Sequence, residues 1–297
     1  MKKKMIEAGI NASDLNMYEE DRIWSCYSRD KVDIGEELAK VIRTLNKEFP
    51  LAKPIRALSI GSSAEPQFRI LETACRGGLY LLDIDKKSLD IIKERVKRQR
   101  TNHVATIRGD YNRIFLNTKH TAAFLRHKLA GQTVNLINLH HSLYYSPKSD
   151  WAAIFASLYS RILAAQGAIH AVLMASETKD EYSSTWLYNH FAGKFFGCHN
   201  YQDLAGFGRR LAKGQVFKKS QAFINTHRVR FFVNDFGKFM SVVWMILLYP
   251  NVHKYTLSQR EEITEHIYRK FWLKKKPLIQ MQDHLVVYKN IGLRGLI

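Results

Sequence analysis

Short apolar runs, separated by stretches whose hydrophobic positions return every three or four residues, fill the chain from about residue 55 to 180. The runs at 56–60, 79–83, 104–107, 134–139 and 168–174 predict strands, and the stretches near 66–75, 87–99, 118–129 and 150–164 predict helices. Strand alternating with helix implies a parallel sheet covered on both faces. The runs are apolar throughout rather than alternating, as expected of strands buried on both sides. Upstream, Ile34, Leu38, Val41, Ile42 and Leu45 set a helical period over Asp33–Lys47, closed by Pro50 and Pro54. Residues 1–30 are polar with scattered aromatics, Tyr18, Trp24 and Tyr27.

Beyond residue 180 the rhythm changes. A helical pattern from Trp186 to Leu211 is interrupted by Gly193, Gly197, Gly206 and Gly208. Two β-like stretches follow, Ala222–Asn225 and Val229–Val233, then an apolar helix over 236–248 and an amphipathic one over 258–272. The run Leu278–Lys289 predicts a strand that closes the sheet. No internal repeat or low-complexity tract is visible.

With 297 residues and 46% apolar side chains the chain can bury one large domain, or one domain and an insertion. Cys26, Cys75 and Cys198 are far apart and show no ligand spacing, so neither a disulfide framework nor a metal site is expected, and a reducing, cytoplasmic setting fits. The basic start is followed by no apolar run and is not read as a signal peptide. The longest apolar stretch, Phe239–Tyr249, is 11 residues, too short to span a bilayer. The charge of +19 is uneven: residues 51–130 carry 16 basic against 7 acidic side chains, and 201–297 carry 17 against 6. A surplus of this kind suits a solvated basic surface, RNA or an acidic partner.

The chemistry concentrates at four points. Ile55–Leu71 reads as a strand, a tight turn at Gly61 and a helix starting near Pro66. Such a turn lets a ligand approach bare backbone near a positively polarised helix end. The second strand ends at Asp83, about 20 residues on, the layout of a nucleoside-binding βαβ unit whose acid meets ribose hydroxyls. After the third strand comes Gly109-Asp110-Tyr111, where a carboxylate can accept from an adenine amine and an aromatic can stack on a base. Asn138–Tyr145 ends the fourth strand and contains His140 and His141, each suited either to a structural hydrogen bond or, near neutrality, to proton transfer. All four points fall at strand carboxyl ends, where open α/β sheets bind ligands. Asp85 is expected to cap the following helix.

These residues resemble the class I S-adenosylmethionine-dependent methyltransferases over about 55–180. Leu58-Ser-Ile-Gly61 and Leu143-Tyr-Tyr145 are similar to segments of the histamine N-methyltransferase family. The resemblance implies an α/β fold with a Rossmann-like, seven-stranded, mostly parallel sheet and helices on both faces. It implies an N-terminal helical lid over 1–50, a core over 51–180, a helical insertion on the substrate side after strand five over 181–250, and a C-terminal helix and closing strand over 251–297. Its cofactor is S-adenosyl-L-methionine, placed by the resemblance at Gly61, Ser62, Ser63, Glu65, Asp83, Ile84, Asp110, Tyr111, Leu139 and His140. A small-molecule acceptor would meet Tyr18, Tyr27, His141, Tyr145 and Trp186, with His141 as the proton acceptor.

Two departures bear on that expectation. The superfamily turn is G-x-G-x-G, whereas Ser63 and Glu65 stand at its second and third glycine positions here. Glu65 would either contact the amino group of the cofactor or obstruct it. The acids that hold the amine of histamine have no counterpart, so histamine is not the expected acceptor. Three functions remain in view: methyl transfer to nitrogen or oxygen of a small molecule, methylation of RNA or protein through the basic surface, and a binding protein on a methyltransferase fold. The [DN]PP[YF] pattern of base-directed amino methylases is absent after strand four. A basic stripe including Arg95, Lys97, Arg98, Arg100, Lys274, Lys275 and Lys276 would favour RNA.

Overall fold

The computed structural model describes residues 2–14, 17–50, 52–61, 63–248 and 253–292, apart from the side chains of Met17 and Tyr18. Its seven strands are β1 (Arg56–Ile60), β2 (Gly78–Asp83), β3 (Val104–Arg108), β4 (Val134–His140), β5 (Leu163–Met174), β6 (Ser220–Phe231) and β7 (Leu278–Lys289). They form one mixed, mostly parallel sheet in the order β3-β2-β1-β4-β5-β7-β6. This is the doubly wound order with the last strand inserted before the sixth. The ladders β1–β2, β1–β4, β2–β3 and β4–β5 are all parallel. The order reverses at β1, so the crevice where a ligand would sit lies between the ends of β1 and β4.

The chain divides into two compact units. One comprises Ile34–Leu173, Leu204–Asn225 and Asp283–Ile297. On one face of its strands, Leu58, Ile60, Ile137, Leu139 and Ile169 pack with side chains from α6 (Tyr111–Phe115), α7 (Thr118–Lys128), α8 (Trp151–Ser157) and α10 (Leu204–Leu211). On the other, Ala57, Leu79, Leu81, Leu136 and Ala168 meet α3 (Asp30–Glu48), α4 (Phe68–Ala74) and α5 (Lys86–Gln99). The expected two-sided cover is therefore present.

The other unit comprises Met1–Asp33, Met174–Asp203 and Thr226–Gln282. Its aromatic-rich core joins Trp24 of α2 (Met17–Tyr27) to Phe191 of α9 (Ser184–Phe196), Trp244 of α11 (Phe236–Leu248), Ile263 of α12 (Leu257–Ile267) and Phe271. Helix α1 (Lys2–Asn11) crosses α11 and α12 at Gly9, where an added Cβ would come within 2.6 Å of Thr264 and 2.9 Å of Phe236. The Trp244 indole donates to the Gly9 carbonyl at 2.8 Å there.

Three elements differ from the pattern-based expectation. β5 starts at Leu163 rather than near 168, because Val134 pairs with Leu163 while Leu136 pairs with Ala168. Gly167 permits this irregularity: a Cβ would stand 2.6 Å from the Asn135 carbonyl. The expected single helix to Leu211 is two, since Gly197 at φ 66° caps α9 in the left-handed region. The two β-like stretches near 222 and 229 are one continuous strand, β6. Among the described residues, no helix is long and apolar enough to cross a membrane.

Candidate active site

The turn after β1 decides whether a ligand can approach the backbone. Gly61, Ser63 and Glu65 have φ of 63°, 53° and 47°. All three glycine positions of the expected turn therefore keep the left-handed conformation, although two carry side chains. Each non-glycine residue there costs about 1–2 kcal/mol. Gly61 also needs its missing side chain, because a Cβ would lie 2.7 Å from that of Ser142.

Local bonds hold the strained residues in place. The Ser63 amide donates to Asp83 Oδ2 at 3.0 Å, and its hydroxyl pairs with Ser88 at 3.0 Å. Glu65 is buried and turned inward: the Ser59 hydroxyl of β1 and the Gln67 amide donate to its carboxylate. The Arg95 guanidinium of α5 donates to the Ala64 carbonyl at 3.1 Å and lies over the Phe68 ring. This use of Arg95 ties it to the turn.

At the end of β2, Asp83 accepts the Ser63 amide on one oxygen and the Asp85 amide, at 2.8 Å, on the other. Burial raises its pKa despite these bonds. The Ile84 amide bonds to the same carboxylate, which with about four acceptor positions still has room for a hydroxyl. Ile84, 65% exposed, stands bare at the same strand end. Asp85 caps α5 through the Lys87 and Ser88 amides, and the Ser88 hydroxyl leads in lowering its pKa. Asp110 caps α6 by accepting from the Asn112 amide at 2.9 Å and faces Arg113 at 3.5 Å.

Tyr111 sits differently from the stacking role expected of it. Its ring packs in the core, and its hydroxyl donates to the Ser142 carbonyl at 2.8 Å and pairs with Ser146 at 2.6 Å. Burial pushes its pKa up to about 12. The residue anchors the loop after β4.

β4 delivers the remaining candidates. Leu139 is fully buried in the core, so only its backbone can meet a ligand. His140 is buried and bonded through Nε2 to His170 of β5 at 3.1 Å. His141 stands half-buried at φ 54°; its amide donates to the Val172 carbonyl and its ring stacks on Tyr144. Tyr145 is half exposed, with its carbonyl accepting from Asn112. Two groups not singled out from the sequence also lie here. The Asn138 amide and the Ser142 hydroxyl are fully buried and, among the described residues, have no hydrogen-bond partner. Sequence could place them only at a strand end; their orphaned state depends on packing.

Ser62 and the Tyr18 side chain lie outside the described residues. Tyr27 and Trp186 belong to the other unit. Tyr27 is exposed beneath the Lys238 ammonium, and Trp186 stacks on His190 and His266.

No family model matches the chain, and no curated protein matches its sequence. Solved structures do resemble it. The YcgJ protein of Bacillus subtilis superposes with a TM-score of 0.52 at 11% identity, covering 84% of this chain and 99% of its own. A candidate sarcosine dimethylglycine methyltransferase from Galdieria sulphuraria gives 0.50 at 14% identity, covering 87% and 86%. At such identities the likeness establishes a shared fold.

Proposed function

We propose that the chain, whose fold is that of the class I S-adenosylmethionine-dependent methyltransferases, transfers a methyl group from that cofactor to a nitrogen or oxygen of a small molecule. The observation that carries this reading is the turn at 61–65. It keeps the left-handed backbone of a glycine turn at all three positions and aims the Glu65 side chain away, at Ser59. That direction of the Glu65 side chain supports an open approach to the turn.

The residues present fit the cofactor. Gly61 leaves backbone bare beside Ser142, and Asp83 supplies carboxylate lone pairs at the distance along the chain expected for ribose hydroxyls. Exposed Ile84 offers an apolar edge for a base, and Asp110 an acceptor for its amine. The orphaned Asn138 and Ser142 groups supply further polar contacts of the kind that buried side chains normally satisfy. When bound, S-adenosylmethionine provides an electrophilic methyl on a sulfonium.

The protein has then to align the acceptor, exclude water and take up a proton where the acceptor carries one. His141 and Tyr145 flank that side of the reading. The strained backbone at His141 fixes where its ring leaves the loop, and the Tyr144 hydroxyl, 3.3 Å from Nδ1, holds the ring plane. Residues 1–50 keep their proposed role as lid, and 181–250 as acceptor-side insertion.

Calorimetric titration of the full chain with S-adenosylmethionine tests the reading. Micromolar binding, lost in Asp83→Ala, is expected. Absence of binding to the wild-type chain would overturn the enzyme reading.

A further inference from the structure

Three imidazoles meet inside the sheet. His140 closes β4, His170 lies in β5 and His284 in β7, and these strands are consecutive in the sheet order. The Cα of His170 pairs with that of Asn138, so His140, two residues further on, shares its face of the sheet. His140 Nε2 stands 3.1 Å from His170 Nδ1, and His170 Nε2 stands 3.2 Å from His284 Nδ1. The three are 6%, 0% and 1% exposed. Burying three polar rings in a row sets a cost that hydrogen bonds, among them the two they make with each other, must offset.

An N···N bond between imidazoles needs one nitrogen protonated and the other bare. The three tautomers are therefore not independent. If His140 carries its proton on Nε2, His170 Nδ1 must be bare and its proton lies on Nε2. That forces His284 Nδ1 bare and its proton onto Nε2. In the opposite register His284 Nδ1 donates to His170 Nε2, His170 Nδ1 donates to His140 Nε2, and His140 holds its proton on Nδ1. A mixed arrangement of neutral rings faces two lone pairs or two protons across a buried contact.

We infer that His170 and His284 are positioning residues, which set through one shared register which nitrogen of His140 carries the proton at the end of β4. The coupling stands on the geometry of the three rings; its meaning at a reacting acceptor rests on the methyltransferase reading. The proton count follows directly. Passing from the Nε2 register to the Nδ1 register moves one proton across each bridge, takes in one at His140 Nδ1 and releases one from His284 Nε2. The exchange leaves the net charge of the three rings unchanged.

The test is nitrogen NMR on the full chain with 15N-labelled histidine, without ligand, at one pH near neutrality. The expected result is one common tautomer for all three rings, favoured roughly tenfold or more, with scalar couplings across both bridges. In His284→Leu the ratio of the His140 tautomers should change by about threefold or more, and His284→Gln, whose amide can still donate or accept, should move it back. Unlike tautomers in the wild-type chain would overturn the inference even if a variant fails to fold. So would an unchanged His140 spectrum in a folded His284→Leu. Titration of the same wild-type sample with S-adenosylmethionine separates the two ideas, since missing cofactor binding with an intact register would remove only the enzymatic reading.

Discussion

Replacing Glu20 should free the protein of a pH-dependent burden that its fold carries without visible compensation. Glu20 lies on α2, fully buried, and among the described residues neither carboxyl oxygen has a hydrogen-bond partner. Trp24, one turn on and stacked on Phe231 at 5.5 Å, shows that this side of α2 faces the aromatic core of its unit. Burial, with a smaller contribution from the charge of Glu19, pushes the Glu20 pKa from 4.5 to about 8. A carboxyl whose pKa is higher in the folded state favours unfolding as it ionises. Below pH 4.5 it is protonated in both states and its effect is flat. Between 4.5 and about 8 the unfolded state alone releases the proton, and stability falls by about 1.4 kcal/mol for each pH unit. Above 8 the effect is flat again. The group therefore removes about 4 kcal/mol between pH 5 and pH 8.5.

Glu20→Met keeps the volume and removes the ionisation. Urea unfolding of wild type and variant at pH 5 and 8.5 isolates the contribution as a double difference, because all other titrating groups are common to both. The wild type should lose about 4 kcal/mol more than the variant on going to pH 8.5, and the variant should be the more stable at the higher pH. Parallel losses, agreeing within about 1 kcal/mol, would refute the claim that the buried carboxyl is neutral at neutral pH.

Other consequences are open to direct measurement. Gly61→Ala places a Cβ 2.7 Å from that of Ser142 and forces alanine to φ 63°, so it should cost about 3 kcal/mol in urea unfolding and abolish cofactor binding. Cofactor affinity should fall with acid at a higher pH than an ordinary aspartate would cause, because burial raises the Asp83 pKa and protonation removes an acceptor; calorimetry from pH 4 to 8 reads the midpoint, and Asp83→Asn should flatten the curve. Arg95→Ala removes the donor to the Ala64 carbonyl and the cover over Phe68, so it should lower stability by about 1–2 kcal/mol and weaken cofactor binding, whereas Arg98→Ala, exposed on the same helix, should change neither.

What could be read in the sequence followed from local rules. Strands buried on both faces leave continuous apolar runs, so β1 to β4 were visible almost to the residue. The start of β5 was not, because Leu163 to Gly167 pair irregularly and Ala164, Ala165 and Gln166 remain partly exposed. The residue pattern did not place α1 and α2, which only the resemblance implied as a helical lid, since their burial depends on contacts with α11 more than 200 residues away, such as Trp244 to Gly9. Gly61 and Asp83 were legible because a strand followed by a turn or an acid is a local pattern. The histidine chain was not, because His284 lies 114 residues beyond His170. Glu20 escaped for a related reason: a glutamate on a helix ordinarily faces water.

The strained backbone adds an argument that no local pattern could supply. Among the described residues, left-handed non-glycine positions fall at Ser63, Glu65, Arg100, Ala130, His141, Lys275 and Asn290. Arg100 caps α5, and Ala130, Lys275 and Asn290 follow the ends of helical or strand segments, where a reversal of the chain accounts for the conformation. Ser63 and Glu65 lie inside the turn after β1, and His141 directly follows the end of β4. They lie in the two loops that meet at Gly61 and Ser142, and each is held by specific bonds to Asp83, Ser59 or the Val172 carbonyl. A fold that spends several kcal/mol to keep side chains where glycine would be strain-free is preserving a shape at that point rather than a composition. We read that shape as the one the proposed ligand site needs, with Ser63 and Glu65 standing where the family the chain resembles has glycine.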